Sequence, residues 1–188
     1  MNSWYELEIL VLEPQLETAV ERANFYKDEY DRSDSNAGFD LYSSSNVTID
    51  QTPQFIPFGI NARLLKVQRM NRGDSNDFLK TASHFWLMPH PSIFKSGLIM
   101  ANSAGVIDKS YRGELKASVW SLTAKSTVTC GDRLFQIVAP DMGWIRNIRI
   151  VKDVPVLKDV PVLKDVPVLK DVPVPIDDRG SEAGSIGK

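Results

Sequence analysis

A single cysteine, Cys130, in 188 residues excludes an intramolecular disulfide framework and fits a reducing compartment, so the expected location is the cytoplasm or the nucleus. The stretch from Met1 to Glu8 has no basic residues followed by an apolar run, so no secretory leader is expected. No stretch approaches the roughly 20 consecutive apolar residues of a membrane span, and a soluble chain that engages no membrane is the expectation. Strong charge of one sign is also missing: 22 basic against 24 acidic side chains leave a net charge of −2. Nothing in that total points to nucleic acid, whose binding is dominated by neutralising phosphates. Helical periodicity is scarce as well. It is confined to Gln15 to Tyr26, where Leu16, Val20 and Ala23 recur at helical spacing, and to a turn around Ser92 to Ser96.

What the chain does have is alternation. Apolar and polar residues change places every second position in short runs bounded by Gly, Asn, Asp or Ser, the signature of half-buried strands. The clearest run is Glu114 to Trp120, with Leu115, Ala117 and Val119 on one face and Glu114, Lys116 and Ser118 on the other. Further strands are predicted at Tyr5 to Leu12, Phe55 to Leu65, Phe85 to Met88, Arg133 to Val138 and Trp144 to Val151. Asn71 to Asn76 reads as a hairpin loop and Cys130-Gly131-Asp132 as a tight turn. The fold class is therefore all-β, in one domain over residues 1–151.

The tail is different. Lys-Asp-Val-Pro-Val-Leu begins at Lys152, Lys158 and Lys164, and an imperfect fourth copy runs from Lys170 to Pro175. A proline every sixth residue removes backbone donors and forbids a helix or a central strand. An extended, polyproline-like linker over 152–175 is predicted, followed by a glycine-containing arm over 176–188. At about 3.1 Å per residue the linker reaches roughly 75 Å, enough to cross a neighbouring subunit, although a spacer with no role beyond distance is the preferred reading of such a repeat.

Four strings carry candidate chemistry. They are Ala37-Gly38-Phe39-Asp40-Leu41 with Tyr42-Ser43-Ser44, Pro89-His90-Pro91-Ser92 through Ala101-Asn102, Gly105-Val106-Ile107-Asp108 through Tyr111-Arg112-Gly113-Glu114, and Gly131-Asp132-Arg133-Leu134-Phe135-Gln136-Ile137-Val138. In the third, Asp108 follows an apolar pair and precedes an aromatic and a turn glycine. This places a carboxylate and a ring side by side at the mouth of a hairpin, a water-orienting base beside a stacking platform. Singly, each string also fits ordinary structure: an Asp-led turn with a packed tyrosine, a turn glycine at Gly38, a hydrogen-bonded strand residue at Gln136, a turn residue at Asn102.

In this order and spacing the strings resemble the motifs of the homotrimeric dUTP pyrophosphatase family, most closely at Ala104 to Asp108 with Tyr111 to Glu114. The related dCTP deaminases share that fold but lack this Asp-x-x-Tyr-Arg-Gly step. The resemblance implies a distorted jelly-roll β-barrel that assembles as a trimer with shared active sites. It also implies hydrolysis of dUTP to dUMP and pyrophosphate, which keeps uracil out of DNA and supplies dUMP for thymidylate synthesis. By that likeness Asp108 orients and deprotonates the attacking water and Gln136 helps position it. Tyr111 packs under the deoxyribose and rejects a 2′-hydroxyl. Asn102 and the backbone of Gly105, Val106 and Ile107 read the uracil edge. Asp40, His90, Ser92, Lys116, Arg179 and Ser185 fall in substrate-binding positions. Mg²⁺ is the implied cofactor, held mainly by substrate phosphates and water, with no protein ligand.

Two departures stand out. The second motif of the family reads Pro-Arg-Ser; here it is Pro89-His90-Pro91-Ser92, which gives up arginine's permanent charge and rigid donor fork and a serine hydroxyl with its N–H. The family's C-terminal arm carries a phenylalanine over the base, whereas Arg179-Gly180-Ser181-Glu182-Ala183-Gly184-Ser185-Ile186-Gly187-Lys188 has no aromatic, a loss of about 1–3 kcal/mol of stacking. These changes motivate an alternative, a catalytically impaired homologue that serves as a nucleotide-binding or protein-interaction module. A divergent tail of this kind suits a large DNA virus as well as a cell.

Overall fold

Alternation in the sequence becomes thirteen strands among the described residues, which in this computed structural model are 3–12, 35–70 and 78–151. The helix expected from Gln15 to Tyr26, the loop from Asn71 to Asn76, the linker 152–175 and the arm bearing Arg179, Ser185 and Lys188 lie outside the described residues. The strands are β1 (Ser3–Val11), β2 (Gly38–Leu41), β3 (Val47–Ile49), β4 (Gln54–Pro57), β5 (Ile60–Arg69), β6 (Phe78–Ser83), β7 (Phe85–Pro89), β8 (Leu98–Met100), β9 (Gly105–Ile107), β10 (Lys116–Ser121), β11 (Ser126–Val128), β12 (Phe135–Val138) and β13 (Ile145–Ile150). The short helical turn expected around Ser92 is a 3₁₀ helix, Pro91–Ser96. No helix among the described residues is long and apolar enough to cross a membrane.

Four sheets result, ordered β13-β1-β5-β6, β4-β10-β8, β11-β3 and β2-β12-β7-β9. All neighbours are antiparallel except β1 and β13. The arrangement is all-β and jelly-roll-like, but the described strands do not close into the barrel the sequence led us to expect. The chain changes sheet at corners instead of continuing one ladder. Phe55 to Leu65, predicted as one strand, breaks at Phe58-Gly59 into β4 and β5, because Gly59 takes a left-handed φ of 61° that turns the chain.

The inward faces meet in one core that includes Leu7, Ile9, Leu41, Ile56, Phe58, Leu64, Leu87, Leu115 and Phe135. Phe58 and Phe135 pack with ring centroids 5.7 Å apart. Burying a side chain of this size stabilises the fold by about 1.5–3 kcal/mol, so the apolar face of each strand fixes which residues face out.

On the surface, Asp141 is held below the ordinary carboxylate range. Its partial burial alone raises it, but the Gly143 N–H at 2.9 Å, the Tyr5 hydroxyl and the Lys66 ammonium at 3.3 Å outweigh that. A folded value below the unfolded one means that ionised Asp141 stabilises the fold above the unfolded carboxylate range, and that this contribution is lost as pH falls through the folded value. Asp141→Asn should therefore lower the melting temperature near neutrality and flatten its decline between about pH 5 and pH 3. Thermal melts across that range check this; parallel wild-type and variant curves count against it.

Candidate active site

Register in the sheet β2-β12-β7-β9 decides what faces outward. β12 is flanked by β2 and β7, so Gln136 lies directly between Asp40 on one side and Met88 on the other. Trp86 in turn faces Val106. With side chains alternating at period two, Phe39, Leu41, Phe85, Leu87, Phe135 and Ile137 enter the core. Asp40, Gln136, Met88, Trp86 and Val106 share the opposite face, where Trp86 and Val106 are exposed. The Gln136 amide donates to the Pro89 carbonyl at 3.3 Å and lies across Gly38. A Cβ on Gly38 would sit 1.8 Å from Gln136 Oε1, so the first-motif glycine is there to seat the fourth-motif glutamine.

Gly105, Val106 and Ile107 form β9, the last strand of this sheet. Its outer edge has no partner strand among the described residues and presents backbone N–H and C=O groups open to further pairing. The turn before it, Ala101 to Ala104, is closed by Ser103 N–H to Met100 O at 3.3 Å and Ala104 N–H to Asn102 O at 2.6 Å, with Ser103 at a φ of 61°. Asn102 is exposed in that turn and its side chain makes no hydrogen bond with the described residues.

After β9 comes Asp108, whose side chain is 64% exposed. The Tyr111 N–H bonds the Asp108 carbonyl at 3.0 Å, which closes a turn between the two residues. The flanking strands do not form a hairpin, however: β9 pairs with β7, whereas β10 pairs with β4 and β8. The loop between them is pinned from the β4–β5 corner. The Gly59 N–H donates to Glu114 at 3.0 Å, the Asn61 amide to the Gly113 carbonyl at 2.7 Å, and the Leu115 N–H to Ile60 O at 2.8 Å. Tyr111 packs on the core and donates its hydroxyl to the Glu114 carbonyl at 2.9 Å, and its burial pushes the phenol above its ordinary value. Lys116 pairs with Glu114 at 3.0 Å.

The second motif folds as a cap. The His90 Nδ1 accepts the Ser92 N–H at 3.2 Å, which leaves the ring proton on Nε2, 3.8 Å from Asp40 Oδ1. Ser92 Oγ lies 2.7 Å from the same Nδ1 and therefore directs its hydroxyl proton at the ring. Pro91, at the first helical position, has no N–H to leave unsatisfied.

The structure thus brings Asp40, Gln136, His90 and Ser92 together at one end of the sheet face, and Asp108 with Tyr111 at the other. Asp108 stands level with His84, and Gln136 with Met88, four residues along β7 or roughly 13 Å at about 3.3 Å per residue. Two neighbours escaped the sequence reading. Arg133 approaches Asp40 Oδ2 at 3.5 Å, and His84 Nδ1 lies 3.3 Å from Asp108 Oδ1. The chain has only two histidines, His84 and His90, and each lies against one of these carboxylates.

No family model matches the chain. Over 45 residues it is 44% identical to the deoxyuridine 5′-triphosphate nucleotidohydrolases of Idiomarina loihiensis and Legionella pneumophila, which is 23% of this chain and 30% of each relative. The corresponding protein of Haemophilus ducreyi is 40% identical over the same length. The chain thus spans about a third of the length of the curated relatives it matches, 30% in each case. Among solved structures it is similar to a dUTPase from Streptococcus mutans, at 24% identity and a TM-score of 0.42 over 57% of this chain and 79% of that one. It is also similar to the dUTPase of Staphylococcus bacteriophage 80alpha, at 15% identity and a TM-score of 0.45 over 95% of each chain.

The Gly38 and Gln136 contact is testable without knowledge of function. Gly38→Ala should cost about 1 kcal/mol, at the low end of overpacking because Oε1 is the tip of a flexible side chain. In a Gln136→Ala background the same methyl should cost almost nothing. Denaturant melts of the four proteins measure this coupling; equal costs in both backgrounds would show that the two residues do not compete for one space.

Proposed function

We propose that the chain is a dUTP pyrophosphatase that hydrolyses dUTP to dUMP and pyrophosphate, limiting uracil in DNA and supplying dUMP for dTMP synthesis. The observation that carries this reading is the unit at the end of β9: a backbone edge from Gly105 to Ile107 with no partner strand among the described residues, an exposed Asp108, and Tyr111 joined to it through one backbone turn. The similarity to nucleotidohydrolases of dUTP over 45 residues agrees with it.

In this reading the uracil edge bonds the free backbone of Gly105, Val106 and Ile107 together with the Asn102 amide. The deoxyribose rests on Tyr111. Asp108 accepts a proton from water as its oxygen attacks the α-phosphorus. The bond from that phosphorus to the bridging oxygen breaks and pyrophosphate leaves. Asp40, Gln136, His90, Ser92, Lys116, Arg179 and Ser185 serve the phosphates and the water.

The roughly 13 Å along β7 that separates Asp108 from Gln136 is too far for one water to touch both. A homotrimer with shared sites resolves this, with Asp108 of one copy meeting the Asp40 and Gln136 end of a second. The linker 152–175 then carries the arm 176–188 to a neighbouring site.

Mg²⁺ is the proposed cofactor and neutralises triphosphate charge when bound. A hard cation that keeps much of its water shell would be held mainly by the substrate's phosphates, near the separate carboxylates Asp108 and Asp40. The cytoplasm or nucleus is the proposed location.

Pyrophosphate release from dUTP with Mg²⁺ is the test. Asp108→Asn should lower kcat at least about 100-fold, within the range expected for loss of a general base, and UTP should be turned over far more slowly than dUTP. A wild-type rate at background, with nucleotide still bound, favours the impaired homologue instead, for which the His90, Pro91 and arm replacements speak.

A further inference from the structure

The corner between β6 and β7 is a single residue, His84, with strand on both sides of it. The ladder between β7 and β9 ends at Phe85 opposite Ile107, so His84 and Asp108 are the next pair beyond its end, on the same outward face. His84 Nδ1 lies 3.3 Å from Asp108 Oδ1 and 3.4 Å from the Lys109 backbone nitrogen. Among the described residues no other side chain reaches the Asp108 carboxylate. The turn that follows is itself tied, with Arg112 Nη1 donating to the Lys109 carbonyl at 3.0 Å and to the Tyr111 carbonyl at 2.7 Å.

We infer that His84 is a positioning residue for Asp108, an inference that rests on the dUTP pyrophosphatase reading. A carboxylate that is 64% exposed and otherwise unheld samples several rotamers. Nδ1 serves one partner at a time: carrying a ring proton it donates to Oδ1, which leaves Oδ2 turned to the water, and without that proton it accepts the Lys109 N–H, which fixes the backbone that carries the next turn. A pair this exposed adds little to stability, so the effect of His84 falls on the rate and not on the fold.

Chemistry distinguishes which ring atom matters. Asparagine places a polar atom where Nδ1 stands, glutamine places one where Nε2 stands, and phenylalanine keeps the ring without either. Steady-state kinetics on the full chain with dUTP and Mg²⁺ should show His84→Phe lowering kcat roughly tenfold with KM changed by less than about twofold, the split expected when a group acts on orientation and not on substrate binding. His84→Asn should restore most of the loss and His84→Gln should not. Full kcat in His84→Phe, or equal rescue by asparagine and glutamine, overturns the inference. Amide hydrogen exchange at Lys109 supplies a readout that needs no turnover: faster in His84→Phe, near wild type in His84→Asn. If the wild-type protein fails to hydrolyse dUTP, the functional reading fails, and unchanged exchange at Lys109 in His84→Phe then separately removes the brace.

Discussion

Everything at this site depends on the pairing of β12 with β2 and β7. The register that sets Gln136 between Asp40 and Met88 also sends Phe135 and Ile137 into the core. A slip of one residue would exchange the two sets, burying a carboxylate and an amide and exposing two large apolar side chains, so the hydrophobic face specifies the polar one. The same ladder, carried one strand further, sets Trp86 against Val106 and brings Asp108 level with His84. Chemistry-bearing residues from four separated strings thus reach one surface through strand pairing.

The strand that bears the open edge is short, three residues from Gly105 to Ile107. Exposed edges invite pairing with other chains, and brevity is one way to blunt that tendency. Here it leaves a short strip of edge backbone, flanked by the Ala101 to Ala104 turn on one side and Asp108 on the other. Gly105 contributes by having no side chain: a Cβ there would lie 3.1 Å from the Leu87 Cβ, so the strand settles closely on β7. Gly113 acts comparably on the far side of the loop, where a Cβ would meet the Tyr111 hydroxyl at 2.5 Å and force the ring out of its seat.

Long alternating runs were legible in the sequence because burial rewards each of their apolar positions. Leu115, Ala117 and Val119 are buried as their spacing required, and the turn at Cys130-Gly131-Asp132 is confirmed by a φ of 92° at Gly131 and an Asp132 N–H bond to the Thr129 carbonyl at 3.0 Å. Strands of three residues such as β3, β8 and β11 carry too few alternations to register as a period. The supposed hairpin around Asp108 failed for another reason: nothing local says that β9 and β10 enter different sheets. His84 and Arg133 were missed because their importance lies in partners 24 and 93 positions away. Such pairings follow from register, which single-sequence patterning does not encode.

The segment Pro89-His90-Pro91-Ser92 is internally consistent. Proline at the first position of a 3₁₀ helix costs no hydrogen bond, and its fixed φ preorganises the turn. The preceding residue must then be extended and must cap, and His90 does both, at φ −66° and ψ 144° with Nδ1 accepting the Ser92 N–H. An arginine there would bring no acceptor, so with Pro91 in place it would leave that N–H without the partner it now has. A cation does stand near Asp40: Arg133 lies 3.5 Å from Oδ2, while His90 Nε2 lies 3.8 Å from Oδ1. The cap thus rests on His90, whose ring accepts the Ser92 N–H, while Pro91 fixes the first helical position beside it.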